Sequence, residues 1–106
     1  MEQPNLDYIK KLSGGNEEFM VRIIKVLKNE LPQEIEEFQQ NFKKENFKKT
    51  AENVHKIKHK ISILGLEKAH KEAAFFEDDL KYRQNTERYK AFAFALKSMS
   101  DFLQTL

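Results

Sequence analysis

Apolar residues recur along this chain at spacings of three and four, in stretches separated by a few turn residues. Met20, Ile24, Leu27, Leu31, Ile35, Phe38 and Phe42 form one continuous stripe, which predicts a long amphipathic helix. Pro32 lies inside it and predicts a bend rather than a break, because the stripe keeps its phase across the proline. A second apolar row on the same helix, Phe19, Ile23 and Val26, lies about 120° round from the first. One neighbour cannot bury both rows. A short helix around "LDYIKKL", with Leu6, Ile9 and Leu12, is the economical cover for the second. Phe47, Ala51, Val54, Ile57, Ile61 and Leu64 mark a third helix; Leu66, Ala69, Ala73, Phe76 and Leu80 mark a fourth. Phe75 and Tyr82 fall on the outer side of that fourth helix. Tyr89, Phe92, Leu96, Met99 and Leu103 repeat to the end.

The punctuation agrees with this division. Asn5, Asn16, Asn46 and Thr86 stand where helix caps are wanted. Ser13-Gly14-Gly15 ends the first helix, and Gly65 suits a left-handed exit from the third. Four long amphipathic helices with short connections predict an all-α antiparallel four-helix bundle with a short additional N-terminal helix. No repeat, low-complexity tract or linker divides residues 1–106, so one domain is expected to fill them, as a whole protein or an excised domain. Only three Gly and two Pro interrupt the helices, and nine Phe supply core volume.

Charge narrows the function classes. With 19 basic and 17 acidic residues, the excess is too small to argue for nucleic acid. The absence of cysteine excludes disulfides, thiolate metal sites and a cysteine nucleophile. No stretch approaches the ~20 apolar residues of a membrane span, and "MEQPNLDYIKK" has no apolar signal core. The expectation is a soluble, cytoplasmic monomer.

The chemistry concentrates in "VHKIKHKISILGL", residues 54–66. At about 100° per residue, His55 lies roughly 130° from the centre of its helix's apolar stripe and His59 about 170°. Both should face solvent, with Lys48, Glu52 and Ser62, while Lys58 sits at the core edge. An exposed imidazole is a ready nucleophile and proton carrier near neutral pH. The plain alternative is surface decoration on a lysine-rich helix. A metal is a third reading, since histidines at i and i+4 can chelate one ion. Zinc sites need three or four protein ligands, however; Glu52 could assist, but there is no Cys and the only other histidine, His70, is on another helix. No metal site is expected.

This stretch resembles the histidine-containing phosphotransfer (HPt) domain family. The family pattern is His, any residue, a hydrophobic residue, Lys, Gly and then, several residues on, Leu-Gly. His55, Ile57, Lys58, Leu64 and Gly65 fall on those positions. The resemblance extends over residues 5 to 82. It implies a phosphorelay intermediate, with His55 taking a phosphoryl group from an aspartyl phosphate on a response-regulator receiver domain and passing it to another receiver. A hybrid sensor kinase would stand upstream. Lys58 would screen phosphoryl charge, and Glu77 would lie near the family's polar position beside the histidine. The chain would be a phosphocarrier rather than an enzyme. It shows no nucleotide-binding motif and needs no cofactor, because Mg²⁺ belongs to the receiver.

The departure from the pattern is His59, which stands where the family has Gly. With Lys60 it is expected to put bulk and charge beside the carrier, so His59, Ser62 and Glu77 are modulating positions. Receiver docking needs an apolar centre with a polar rim; Tyr8, Ile9, Met20 and Ile23 are the expected patch. Two alternatives stay open: a receiver-binding adaptor with impaired transfer, and a helical interaction or metal-binding protein without phosphate chemistry.

Overall fold

The computed structural model describes residues 2–106. The described residues form five α-helices: α1 (Asp7–Ser13), α2 (Glu17–Lys43), α3 (Phe47–Ile63), α4 (Glu67–Asp78) and α5 (Tyr89–Gln104). A π-helical segment, Asp79–Arg83, extends α4. No β-strand occurs among the described residues. α3 packs against both α2 and α4, α5 touches α2 and α4, and α1 lies on α2. The molecule is 43 Å long; at 1.5 Å per residue, α2 alone spans about 40 Å of it.

Local chemistry starts the helices. The Asn16 side chain accepts the Phe19 N–H at 3.1 Å, and Asn46 accepts that of Lys49 at 3.2 Å. Asn5, two residues before α1, accepts the Asp7 N–H on its side chain. Thr86 does not cap α5 with its side chain. Its carbonyl takes the Tyr89 N–H, and the side chain of Asn85 takes that of Glu87. α2 continues unbroken through Pro32. Pro32 and Lys28 are both exposed, so the carbonyl that the proline leaves without a donor sits on the solvent side.

Every stripe predicted from spacing contributes to the core. Leu27, Leu31 and Phe38 of α2, Val54, Ile57 and Ile61 of α3, Ala73 and Phe76 of α4, and Phe92, Leu96, Met99 and Leu103 of α5 are buried. Phe38 packs edge-on to Phe92 at 4.9 Å between ring centres, and Phe42 stacks on Tyr89 at 4.2 Å. Phe75 and Tyr82 are exposed.

The second row of α2 is not covered as expected. Phe19 and Val26 remain exposed, and Ile23 is half-buried. α1 has only seven residues and commits Ile9, fully buried, to the common core, leaving Leu12 exposed. The first residues do something else. The Glu2 carboxylate accepts the N–H groups of Lys68 and Ala69 and caps α4 across the fold. Asn5 donates its backbone N–H to the Leu64 carbonyl. Gly65, at φ 78°, lies so close to Asn5 that a Cβ there would meet its side chain at 2.6 Å. This strap fastens the start of the chain to the α3–α4 turn.

Candidate functional site

The α3–α4 turn decides which side chains meet. The chain reverses there, so residues at equal distances from Leu66 come opposite one another. His55 and Glu77 are both eleven residues from it; Ser62 and His70 are both four. Nδ1 of His55 lies 3.1 Å and 3.3 Å from the two carboxylate oxygens of Glu77. Lys58, one turn along α3, places Nζ 3.0 Å from Oε1 of the same carboxylate. His55 is 56% exposed, while Lys58 and Glu77 are 18% and 17% exposed. An exposed imidazole thus stands in solvent on a sheltered ion pair.

The hydrogen bond sets the tautomer. An ionised carboxylate only accepts, so Nδ1 of the neutral ring carries the proton. The lone pair is then on Nε2, the nitrogen that Glu77 does not engage. The arrangement presents one nucleophilic nitrogen, fixed in orientation, with a cation within one turn.

Two shallow depressions flank the ring. One is lined by Lys48, Ala51, Glu52, Glu77 and Lys81 beside His55. The other is lined by Tyr8, Lys58, His59, Ser62, Ile63 and His70 beside His55. His59 is exposed, its ring centre 5.2 Å from that of His55 and turned edge-on. Lys60 does not share this surface. It turns to α2, where Nζ meets Glu30 at 3.0 Å and Glu34 at 2.9 Å. Burial pulls this ammonium down, but the hydrogen bonds and charge of Glu34 and Glu30 outweigh it and hold it above its ordinary value. Contrary to expectation, Lys60 therefore does not crowd His55, and of the two only His59 stands beside it.

The expected docking residues divide. Tyr8 is 49% exposed and lines the His55 depression. Met20 and Ile23 are half-buried. Ile9 is fully buried and has no surface to offer; its side chain is the anchor of α1. His70 was not among the expected site residues, yet it joins His55 and His59 around one depression. Its signal was present in the spacing, since His70 and Glu77 are seven apart on α4 and share a face. Among the described residues, no group of three or more His, Asp or Glu side chains is placed to hold a metal ion. No described helix is long and apolar enough to cross a membrane.

The family model of the Hpt domain matches residues 22–105, most of the chain, from within the first turns of α2 through the end of α5. The chain belongs to the Hpt domain family. No curated protein and no solved structure matches it. Membership connects the geometry to histidine phosphotransfer in two-component phosphorelays, in which Hpt domains act as phosphocarriers and interact with receiver domains. The match includes His55, Lys58, His59 and Glu77 but begins after α1, so Tyr8 and the strap from Glu2 lie outside it.

Proposed function

We propose that this Hpt domain is a phosphorelay intermediate whose carrier atom is Nε2 of His55. On this reading α2 to α5 form the antiparallel frame, α1 is the additional helix, and the reacting groups stand on the α3–α4 face. The Nε2 lone pair attacks the phosphorus of a receiver's aspartyl phosphate. A P–N bond forms as the acyl-phosphate P–O bond breaks, and the receiver's carboxylate leaves. The ring becomes cationic as it takes the phosphoryl group. Glu77, on Nδ1–H, faces that developing charge, and Lys58, one turn from His55, offsets charge on the phosphoryl oxygens. A second receiver reverses the step. A hybrid sensor kinase is the expected upstream source.

The observation that carries this reading is the Glu77 carboxylate on His55 Nδ1, because it leaves the other nitrogen free and correctly protonated for attack. Incubation with a receiver bearing labelled phosphate tests it. Label should move to the domain, be acid-labile and base-stable, and fail to appear in His55→Gln. A domain that binds the receiver yet takes no label would support the second reading, an adaptor with impaired transfer, which the closeness of His59 to His55 favours.

A further inference from the structure

His55 has two sides, and they differ in charge. The depression toward the π-helical segment includes two carboxylates, Glu52 and Glu77. The depression toward α1 is lined by none. It holds instead His59 and His70, the hydroxyls of Tyr8 and Ser62, and Lys58, contributed by α1, α3 and α4. Every one of these polar groups can donate a hydrogen bond. A surface lined by donors and cations, with no carboxylate on it, is suited to an anion.

We propose that this depression seats the oxygens of the phosphoryl group on His55, with His59 as the principal ligand and Tyr8, Ser62 and His70 as outer donors. The proposal rests on His55 being the carrier. His59 has the leading place for three reasons. Its ring is one turn from His55, 5.2 Å between centres. It is exposed, so it can turn toward a new charge. The depression it lines also holds no carboxylate: His55 and Lys58 stand beside it on α3, with Tyr8 of α1 and His70 of α4 on the same lining, and exposed Lys56, one turn before it on α3, is a further cation. Lys58 already shares its charge with Glu77. His70 borders a second depression that includes Asp7, Glu67 and Lys71, so part of its charge would be offset without phosphate. A phosphoryl group brings about −1.5 to −2 charges. The unoffset imidazole, His59, should respond most, by binding a proton and donating to a phosphoryl oxygen. The residue that replaces the family's glycine then trades open space for a ligand.

The test uses the full chain, labelled with ¹⁵N in its histidines and phosphorylated with phosphoramidate. In that reaction Nε2 of His55 attacks phosphorus, the P–N bond of phosphoramidate breaks, and ammonia leaves with a proton from solvent. Imidazole ¹⁵N shifts are followed against pH before and after modification. The midpoint for His59 should rise by about half to one pH unit, the scale for a dianion some 5 Å away in a largely aqueous setting. That for His70 should rise less. The phosphohistidine of His59→Gly should be shorter-lived severalfold at mildly acidic pH. His59→Gln, an uncharged donor, should recover part of that lifetime with a flatter pH profile. An unmoved His59 midpoint on protein shown to carry phosphate at His55 overturns the proposal. So does a His59→Gly phosphohistidine lifetime equal to or longer than that of the unsubstituted chain. Failure of His55 to take phosphate at all would instead overturn the carrier reading, and this inference with it.

Discussion

At the scale of the residue, one carboxylate holds two groups. Glu77 fixes the His55 ring through Nδ1 and holds the Lys58 ammonium through the other side of the same carboxylate. The proposed roles of Lys58 and Glu77 can therefore be separated by substitution. Lys58→Ala should slow transfer or shorten the phosphohistidine lifetime and leave the tautomer alone, since Glu77 stays. Because the pair is sheltered, it should also cost about 1 kcal/mol of stability, readable as a denaturant midpoint. Glu77→Ala should act on the ring itself. Without the acceptor, Nδ1 no longer fixes the proton, and transfer should fall about tenfold, the worth of one charge-assisted hydrogen bond. Imidazole ¹⁵N spectra should show the tautomer becoming mixed. An unchanged tautomer and rate in Glu77→Ala would remove Glu77 from the site. Period arithmetic already placed His55 and His59 outward, because a helix stripe defines an inside. The meeting of His55 with Glu77 was not accessible that way, since it depends on the length of a turn between two helices. Lys60 escaped for another reason: its long stem reaches partners on α2 that a helical wheel does not contain.

At the scale of the element, two turns use the same rare backbone for different ends. Glu45, between α2 and α3, has φ 59°, and Gly65, between α3 and α4, has φ 78°. A side chain in the left-handed region costs roughly 1–2 kcal/mol. Glu45 is exposed, and the hydrogen bond of this turn comes from its backbone, to Phe42. Glu45→Gly should therefore stabilise the fold, by about 0.5–1 kcal/mol after glycine's greater unfolded freedom is subtracted. Gly65→Ala should do the reverse by more than the left-handed cost alone, because its Cβ would also strike the Asn5 side chain. Thermal denaturation of the two variants should give midpoints that move in opposite directions. A Gly65→Ala protein as stable as the parent would mean that the strap yields easily and does not pin α1. The sequence showed Gly65 as a helix exit from its position after an apolar stripe. It carried no such sign at Glu45, where the left-handed residue is one that ordinarily avoids that region. Nor did it show the widening of α4 into the π-helical segment, which changes hydrogen-bond partners without disturbing the apolar spacing at Leu80.

At the scale of the whole molecule, the strap and α1 bring an apolar surface to His55. Tyr8 lines the depression at His55, and Leu12, Phe19 and Val26 remain exposed on α1 and the first half of α2. The shortness of α1, which leaves the second row of α2 uncovered, is what makes that surface available. Apolar surface flanking an exposed imidazole and its sheltered ion pair has the composition of a docking site, an apolar centre with a polar rim. The receiver is accordingly expected to seat there, with Tyr8 next to the reacting atoms and Leu12 and Phe19 farther out. Tyr8→Ala and Phe19→Ala should each weaken receiver binding by about 1–2 kcal/mol, roughly five- to thirty-fold in Kd. Phosphorylation of His55 by phosphoramidate should be little changed in Phe19→Ala, because that small donor needs no docking surface. Phe94, also exposed but on α5, is the control: Phe94→Ala should bind as the parent does. Chemical-shift mapping with the receiver should centre on α1, the start of α2 and His55. Perturbations confined to Phe75, Tyr82 and Phe94 would place the receiver on the opposite face and leave the uncovered row of α2 without this partner.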